Sequence, residues 1–511
     1  MKIVAFRLNI GTNVGLGHFY RCKYLAEVFT KNGFICEFII DKKNLFFNNF
    51  KKIIFTELYN KSSFKSEDKD LKISLENLKE KTKFLIIDDY RITDKWVKLF
   101  KKKNKKVKIV VFDDNHLKQS NADYIINTSK NFSTDKLRQN QPKLYGTDFS
   151  IINPKLKKEK NKKLINILFY FGGGYDYKGY SKNIINISKK LIKINSKIRI
   201  NFINGPFSKN FNLIKKNLIS KKFIIHENIF DLSNILSKID LCIGSASSIV
   251  YELNYLKISS ILFTLNEKQN NTNLLEKMGF NFVLDIKDLK NKNITKIIEN
   301  FYQNIFLQKK QKLKHTQITK YGANNIVRIL LKKKLNFKKG VNSTKQNKNK
   351  HIFQKANISD VNIFLKIRNY KKNRLVSANT KKIKKIDHYL WWLNNDIEKF
   401  KLIQNNEIIM ILWRKKINFN GKIYYTGGWS TTKFDFNLSG ILFAYKKLLT
   451  FCNSKNIPWI GITKKNNKFL KWLNLRLGFS ILKENKFNLE TKKFLKNLKI
   501  KNKKKYYIYI T

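Results

Sequence analysis

The sequence is poor in the residues that mark several common classes of protein. It has only 4 prolines and 4 cysteines among 511 residues. The cysteines lack C-x-x-C spacing, which argues against a disulfide framework and against a zinc site. No run of about 18 apolar residues is free of charge, so we expect no transmembrane helix. The N-terminal segment MKIVAFRLNIG lacks the apolar core and cleavage site of a signal peptide, so we expect a cytoplasmic protein.

Acidic residues are also scarce, and the charge of the chain is strongly one-sided. Only 36 Asp and Glu accompany 105 Lys and Arg, which gives a formal net charge of +69. Such a charge is typical of nucleic-acid binders. However, Lys, Asn, Ile, Phe and Tyr are abundant together, and A/T-rich codons explain that pattern without a partner. Because the lysines are spread along the whole chain, we expect no specific nucleic-acid partner and no membrane insertion, and keep a basic nucleic-acid or membrane-surface binder as the last alternative.

Short apolar runs alternate with helical patterns in the first part of the chain. We predict buried strands at 2–6, 34–40, 84–90, 107–114 and 122–127, with a helix near 94–101. Between the first two strands, Cys22, Leu25, Ala26 and Phe29 fall at i, i+3, i+4 and i+7, on one face of a helix. Continuous apolar strands alternating with helices predict a doubly wound α/β domain, which we place at 1–150.

The same alternation restarts after a charged segment at 155–163 and predicts a second Rossmann-like domain at 151–331. Two such domains leave a cleft between the carboxyl ends of their strands, where open α/β sheets bind ligands. A basic linker is predicted at 332–350. A third unit of mixed plan follows at 351–490, with strands near 400–413 and 422–430 and a helix near 438–453. We assign 491–511 to a basic tail that contains one further possible strand, YYIYI.

The first candidate ligand site is the loop Gly15-Leu16-Gly17-His18, between a strand and a helix. Glycines allow a tight turn and a close approach of the backbone to a ligand, and the start of the helix favours phosphate. Tyr20 stands where G-x-G-x-x-G requires its third glycine, so the dinucleotide motif is not met. A free imidazole titrates near neutral pH, so a histidine at the mouth of a cleft, such as His18, could take a proton from water. A structural histidine that caps the helix is the alternative.

Two loops of the second domain have the same kind of glycine-rich turn between a strand and the following segment. Gly172, Gly173 and Gly174 follow one predicted strand, and the segment Gly244-Ser245-Ala246-Ser247-Ser248 follows another and opens a helix that carries Glu252. Small residues and hydroxyls at such a position suit a pyrophosphate, and a carboxylate one turn further can hold a ribose diol. A capped helix with a solvent-facing glutamate is the alternative.

In this order, the motifs G-x-G-H-x-x-R-C, I-I-D-x-Y, F-x-D-D, F-G-G-G and G-S-A-S-S-x-V-x-E resemble the PseG family over residues 1–285. The resemblance implies a GT-B-like fold related to MurG and hydrolysis of UDP-2,4-diacetamido-2,4,6-trideoxy-β-L-altropyranose by C–O cleavage in pseudaminic acid biosynthesis. It places the catalytic histidine on His18 and implies neither a cofactor nor a metal. The substrate- and UDP-binding positions that it implies are Gly15, Gly17, Arg21, Asp88, Tyr90, Gly172, Gly173, Gly244, Ser245, Ala246, Ser247, Ser248, Glu252 and Gln269.

The third unit resembles GNAT N-acetyltransferases of the PseH type. The pieces are Ile367-Arg368-Asn369, then His388 with Trp391-Trp392, and the closing segment NNKFLKWLNLRLGF at 466–479. This resemblance implies acetyl-CoA as a cofactor, bound near Ser439, Gly440 and Asn466, and an amino sugar as the acceptor. The acetyl-CoA loop keeps one of the family's two glycines. The leading hypothesis is therefore a bifunctional nucleotide-sugar enzyme, and the second is a GT-B glycosyltransferase that uses a UDP-sugar.

Overall fold

The computed structural model describes most of the chain, in segments that together carry every element discussed below. The described residues are 1–11, 14–42, 47–48, 50, 53–59, 64–114, 121–128, 143–159, 164–227, 229–266, 272–308, 318–332, 351–377, 380–419, 421–432, 438–453, 457–482 and 506–510. The predicted linker lies outside these residues except for Lys332. The chain divides into two compact units, Met1–Ile298 with Gln311–Lys339 and Glu299–Lys310 with Gly340–Thr511.

A seven-stranded parallel sheet forms the N-terminal half of the first unit. Its strands are β1 (Lys2–Leu8), β2 (Phe34–Ile40), β3 (Ile54–Glu57), β4 (Thr82–Asp88), β5 (Lys108–Phe112), β6 (Tyr124–Asn127) and β7 (Lys143–Tyr145), in the order β3-β2-β1-β4-β5-β6-β7. The helices are α1 (Gly17–Lys31), α2 (Glu67–Glu76) and α3 (Asp94–Lys103). All four apolar residues predicted to share a face of α1 are buried. The strands β3 and β7 and the helix α2 were not predicted from the sequence.

A second parallel sheet, of six strands, forms the other half of the first unit. Its strands are β8 (Ile165–Tyr170), β9 (Ile198–Asn204), β10 (Phe223–Glu227), β11 (Leu241–Ser245), β12 (Ser259–Thr264) and β13 (Val283–Asp285), in the order β10-β9-β8-β11-β12-β13. The helices are α4 (Ser181–Ile194), α5 (Asn212–Asn217), α6 (Ser233–Leu236), α7 (Ile249–Tyr255), α8 (Thr272–Lys277), α9 (Ile294–Phe301) and α10 (Gly322–Leu330). Both sheets have the Rossmann-like order, which confirms the predicted α/β class.

The helix α10 belongs to the first sheet and not to the second, although the sequence places its residues in the second domain. Ala323, Ile326 and Val327 join the apolar core that α1 forms with the first sheet. The chain therefore returns to its N-terminal half after completing the second sheet. Such a return cannot be read from local periodicity, because an amphipathic helix does not specify which sheet it covers.

The second unit combines a four-stranded and a three-stranded antiparallel sheet. The first holds β14 (Ile352–Lys355), β15 (Ile397–Gln404), β16 (Glu407–Phe419) and β17 (Lys422–Thr431), and the second holds β18 (Ile460–Lys464), β19 (Ser480–Ile481) and β20 (Tyr506–Ile510). The helices are α11 (Val361–Arg368), α12 (Lys371–Val376), α13 (Lys385–Trp392), α14 (Leu438–Asn453) and α15 (Lys468–Arg476). This α+β plan was predicted, as was α14.

One prediction about the second unit was wrong, and another was confirmed. The strand expected over 400–413 is the hairpin of β15 and β16, because Asn405 and Asn406 both adopt positive φ, of 51° and 62°, and reverse the chain. The possible strand YYIYI, predicted within the basic tail, is β20, and it lies between β18 and β19. Ile508 and Tyr509 are buried, so this strand is part of the core of the unit.

The helices of the described segments do not include any that is both long and apolar enough to cross a membrane.

Candidate active site

His18 lies at the point where the order of the first sheet reverses. The chain leaves β1 towards β2 on one side, whereas β4 and β5 lie on the other, and open α/β sheets bind ligands at the crevice that this reversal creates. His18 is the second residue of α1, which follows β1, and Asp88 is the last residue of β4. The imidazole Nδ1 lies 2.5 Å from Oδ1 of Asp88. The sheet topology thus brings together two residues that are 70 positions apart in the sequence.

Asp88 is fully buried behind the imidazole and is held from the other side by Arg21. The guanidinium donates to Oδ2 through Nε at 2.9 Å and to Oδ1 through Nη2 at 2.5 Å. Burial alone would raise the pKa of Asp88, but the positive charge of Arg21 and the contact with His18 outweigh it and hold that pKa well below its usual range. The ionised carboxylate can only accept a hydrogen bond. Nδ1 therefore carries the ring proton and donates to Asp88, which leaves Nε2 as the basic atom of the neutral ring.

The position of Asp88 favours an orienting role over the substrate contact that the resemblance implies. Its side chain is fully buried, and both of its oxygens have partners within the protein. The side chain of Arg21 is 15% exposed and its guanidinium lies 4.1 Å above the ring of Phe112. These two residues therefore hold the imidazole of His18 in place.

One acidic residue of this cluster was missed in the list of candidate sites, although its motif was noted. Asp114 follows β5 and accepts from Nη1 of Arg21 at 2.6 Å and from the hydroxyl of Tyr90 at 3.0 Å. The ring of Tyr90 in turn meets the imidazole of His18 edge to face, with centroids 4.8 Å apart. The signal that could have identified Asp114 is its place after the strand next to β4, because the carboxyl ends of parallel strands share one edge of the sheet.

The three glycine-rich loops predicted from the sequence meet at one place. A Cβ added to Gly17 would lie 2.9 Å from Oγ of Ser248, and one added to Gly173 would lie 3.3 Å from the side chain of Leu16. A Cβ on Gly174 would likewise lie 3.4 Å from Cα of Gly15. The two halves of the first unit therefore face each other with the carboxyl edges of their sheets, which is the GT-B-like arrangement that was expected.

The glycine-serine loop after β11 is shaped by the strand beside it. A Cβ at Gly244 would lie 2.1 Å from the carbonyl oxygen of Tyr170, so no larger residue fits between β8 and β11. The hydroxyls of Ser245 and Ser247 lie 2.8 Å apart, and Ser245 is fully buried. Gly172 follows β8 and has a positive φ of 105°.

Ala246 is fixed by its backbone N–H, which donates to the carbonyl of Phe263 at 2.8 Å. Ser247 is partly exposed and Ser248 is exposed, so these two can reach a ligand.

Glu252 lies on α7, opposite two tyrosines of α1. Burial, together with the charge of Asp231, raises the pKa of Glu252 to about 7. The negative charge of Glu252 contributes in turn to the raised pKa values of Tyr20 and Tyr24, after burial as the first cause. The hydroxyl of Tyr20 is buried and has no hydrogen-bond partner among the residues that the structure describes. Polar atoms of both halves thus converge on the carboxyl group that was predicted to bind a ribose.

A second charged cluster lies on the same edge of the first sheet. Arg7 is fully buried and pairs with Asp41 and Asp70 at 2.7 Å each and with Asp89 at 3.5 Å. Arg91 pairs with Asp41 at 2.7 Å and with Asp89 at 2.5 Å. Because its two guanidinium groups are shared by three carboxylates, this cluster joins the ends of β1, β2 and β4, and so supports the segment that carries Asp88.

The remaining predicted site residues are placed as follows. Gln269 lies outside the described residues. Ser439 is exposed and Gly440 is buried in the first turn of α14, and Asn466 is exposed in the turn between β18 and α15. These three belong to the second unit and are not part of the His18 site.

The second unit contains a cation, Arg368, that forms no ion pair with the described residues. Arg368 of α11 lies with its guanidinium 4.5 Å from the ring centroid of Trp391, and in the described part of the chain its Nη1 has no hydrogen-bond partner. Burial lowers the pKa of Arg368 to about 10. His388 stacks on the same indole and is fully buried, with Nε2 2.7 Å from the carbonyl of Val361 and Nδ1 unpartnered within the described residues. Burial, with the charge of Arg368, lowers the pKa of His388 to about 3.

Relatives of known sequence match parts of the chain. The sequence matches no protein-family model. An uncharacterized protein of Methanocaldococcus jannaschii is 27% identical over 279 residues, which make up 50% of this chain and 54% of that protein. The UDP-N-acetylglucosamine–N-acetylmuramyl-(pentapeptide) pyrophosphoryl-undecaprenol N-acetylglucosamine transferase of Clostridium botulinum is 29% identical over 177 residues, 32% of this chain and 47% of the transferase. The chain thus spans about half the length of the curated relatives it matches.

Solved structures also resemble the chain. The MnaA protein of Staphylococcus aureus, solved with UDP, is 12% identical and matches with a TM-score of 0.47 over 66% of this chain and 100% of that protein. An acetyltransferase of the GNAT family from Streptococcus pneumoniae is 11% identical, with a TM-score of 0.25 over 32% of this chain and 99% of that protein. These scores are low, and the fold assignment rests on the sheet topology described above.

Proposed function

We propose that the first unit is a hydrolase that cleaves the sugar–UDP bond of a UDP-2,4-diacetamido-2,4,6-trideoxyhexose, a step of pseudaminic acid-type nonulosonate biosynthesis. The observation that carries the proposal is the pair of His18 and Asp88. His18 directly follows Gly17, where the loop of the first half approaches Ser248 of the second half. The motif resemblance to PseG supports the substrate and the role of His18. The curated transferase from Clostridium botulinum, whose name describes transfer of N-acetylglucosamine, supports a nucleotide-sugar enzyme.

The geometry of the His18 site suits the activation of water. Nε2 of His18 takes one proton from a water molecule as the water oxygen bonds to the anomeric carbon. The bond between that carbon and the phosphate oxygen breaks, and its electron pair leaves with UDP. Asp88 holds the ring through Nδ1 and stabilises the imidazolium that forms, as a carboxylate does in a catalytic triad. A positioned base of this kind contributes roughly 10²–10⁴ in rate.

The facing loops suit the leaving group. Backbone N–H groups of glycine-rich segments approach a diphosphate closely, and fixed donors aimed at a developing negative charge are among the strongest catalytic devices. Ser247 and Ser248 offer accessible hydroxyls on the side of the second sheet, and Glu252 offers a carboxyl group for a ribose. In this assignment UDP lies against the second half and His18 approaches the sugar from the first half.

A GT-B glycosyltransferase is the runner-up, because the same loops would hold UDP while the sugar passes to an acceptor in place of water. Product analysis separates the two. The protein is incubated with the UDP-linked diacetamido sugar in H₂¹⁸O, without any acceptor. The hydrolase releases UDP and a free sugar that carries the label, since the carbon–oxygen bond is the one that breaks. No UDP release without an acceptor, or label in UDP, would exclude the proposed reaction.

The role of His18 is tested by His18→Asn, which keeps a polar side chain and removes the base. We expect UDP release to slow at least 100-fold, in line with the contribution of a positioned base, while UDP affinity stays within about threefold. The matched control is His351→Asn in the second unit, where the ring of His351 stacks on Phe443. Turnover of His18→Asn within a few-fold of the unchanged protein would remove His18 from the mechanism.

We propose that the second unit is an N-acetyltransferase that uses acetyl-CoA and acts on an amino sugar of the same pathway. β17 and β18 are parallel and meet at one bridge, Tyr425 with Trp459, where the N–H of Tyr425 donates to the carbonyl of Pro458 at 2.8 Å. Beyond that bridge the facing strand edges can hydrogen-bond an extended ligand such as the pantetheine chain of coenzyme A. Nη1 of Arg368 has no hydrogen-bond partner among the described residues, so it suits an anionic group of the acceptor substrate.

This second activity is measured separately from the first. The protein is given acetyl-CoA and a UDP-linked 2,4-diamino sugar, and free coenzyme A is titrated with a thiol reagent. We expect thiol release in the presence of the amino sugar and a loss of at least tenfold in acceptor affinity for Arg368→Met, because a charge-assisted contact is removed. Release that is equally fast without any amine would contradict the proposal.

A further inference from the structure

Five side chains around His18 form a closed ring of contacts. His18 meets Asp88, Asp88 meets Arg21, Arg21 meets Asp114, and Asp114 meets Tyr90, whose ring returns to the imidazole of His18. The members come from α1 and from the ends of β4 and β5, so the ring spans three elements. Asp114 completes the ring by accepting from both Arg21 and Tyr90.

The charges of this ring are unevenly matched. One guanidinium, that of Arg21, is shared by two carboxylates, Asp88 and Asp114, which leaves one excess negative charge beside His18. The side chain of Asp114 is 25% exposed, whereas that of Asp88 is fully buried. An excess negative charge in a partly buried site favours the protonated form of a neighbouring imidazole. The ring is therefore arranged to stabilise the imidazolium that proton abstraction creates.

We propose that Asp114 is a positioning residue of the His18 site. It holds Tyr90 against the imidazole, and it competes with Asp88 for the positive charge of Arg21. This inference rests on the proposed function for its catalytic meaning, although the ring itself does not depend on it. Among the described residues, Asp88 and Tyr90 contact His18 directly, Arg21 and Asp114 contact these two, and Tyr251 of α7 approaches Asp114 from the second half. The hydroxyl of Tyr251 is bonded to Thr128 and lies close enough to Asp114 for the charge of Asp114 to contribute to its raised pKa, after burial as the first cause.

Two substitutions separate the charge of Asp114 from its contact with Tyr90. Asp114→Asn removes the charge and keeps an oxygen that can accept from the Tyr90 hydroxyl. Asp114 then no longer competes with Asp88 for Arg21, so the charge beside the imidazole changes while the contact of Tyr90 is kept. Tyr90→Phe removes the contact and keeps every full charge, so it should disturb the placement of the imidazole. A residue with only a structural role would not separate these two effects.

The first measurement needs no substrate. The imidazole signals of the six histidines are recorded by NMR at one fixed pH, and the signal of His18 is identified by its absence in His18→Asn. We expect that signal to move in Asp114→Asn, because one negative charge near the ring is lost and the edge-to-face contact of Tyr90 is no longer held by a carboxylate. The exposed carboxylate Asp68, which pairs with Lys95 at 3.5 Å, provides the control Asp68→Asn, with no change expected. An unchanged His18 signal in folded Asp114→Asn overturns the inference, and Asp114→Ser replaces that variant if it does not fold.

The second measurement is the pH profile of UDP release. Asp114→Asn should lower kcat at least tenfold, shift the acid limb of the profile to lower pH, and leave UDP affinity within about twofold, whereas Asp114→Glu should restore the position of the limb. If the unchanged protein releases no UDP, the proposed function fails while the NMR result still decides on the ring. If the unchanged protein is active and Asp114→Asn shows neither a fall in kcat nor a shift of the limb, the inference fails and the proposed function stands.

Discussion

The raised pKa of Glu252 predicts a stability that falls as the pH rises. The pKa of this carboxyl group is about 7 in the folded protein against 4.5 for an ordinary glutamate. The folded state therefore binds the proton more tightly than the unfolded state, so stability is present below the unfolded pKa and is lost as the pH rises through the folded pKa. With these two pKa values, the loss between about pH 5 and pH 8 amounts to at most about 2.5 kcal/mol.

The perturbation that isolates this contribution is Glu252→Gln, which keeps the shape of the side chain and removes its titration. Urea unfolding of the first unit is followed at several pH values, and the free energy of unfolding is obtained by linear extrapolation. The unchanged protein should lose more stability than Glu252→Gln between about pH 5 and pH 8, by up to about 2.5 kcal/mol. The exposed residue Glu76 of α2 provides the control Glu76→Gln, which should run parallel to the unchanged protein.

The same titration should appear in UDP binding if the carboxylate holds a ribose as proposed. Binding then requires the ionised form, so the unchanged protein should release a proton when it binds UDP at about pH 6, and Glu252→Gln should not. Calorimetry in buffers of different ionisation enthalpy measures that proton. Parallel stability curves for the two proteins, together with equal proton release, would show that Glu252 has ordinary acidity and would refute the reasoning from its burial.

Two further predictions concern packing and buried charge. Gly244→Ala should destabilise the first unit by about 1–3 kcal/mol or more and abolish UDP binding, because the added Cβ would lie 2.1 Å from a backbone oxygen of β8; thermal unfolding and UDP titration measure both effects. Lys401→Met should destabilise the second unit by about 3–5 kcal/mol. In the unchanged protein the buried carboxylate of Asp360 pairs with the ammonium of Lys401 at 2.8 Å, and the variant leaves this carboxylate without its cation. Adding Asp360→Asn should recover part of that loss in urea unfolding, and a double variant no more stable than Lys401→Met would contradict the explanation.

Local periodicity was enough for the parts of the fold whose residues are close in sequence. The four apolar positions of α1 were predicted because burial against one sheet requires a spacing of three and four residues. The alternation of strands and helices likewise predicted both parallel sheets. The hairpin at Asn405 and Asn406 was missed although its signal was present, because paired asparagines adopt positive φ readily and read as a turn between two strands.

The candidate site was predictable as a set of loops but not as a network. The sequence indicated that His18 lies at a strand–helix junction, as a candidate base. It did not indicate that Asp88 would be buried beneath the ring, nor that Asp114 would share Arg21 with it, because these contacts join residues 67 to 93 positions apart. Such contacts follow from strand order, which no local pattern encodes. The place of α10 on the first sheet is hidden from the sequence for the same reason.

The central position of β20 has a consequence for how the chain matures on the ribosome. The strands β18 and β19 cannot complete their sheet until residues 506–510 have been translated and have emerged, since β20 lies between them. Until then both strands expose unpaired edges, which are open to pairing with other chains. We therefore expect the second unit to become protease-resistant only once this strand has left the ribosome, and a released chain that stops at residue 505 should be degraded faster than the 511-residue chain.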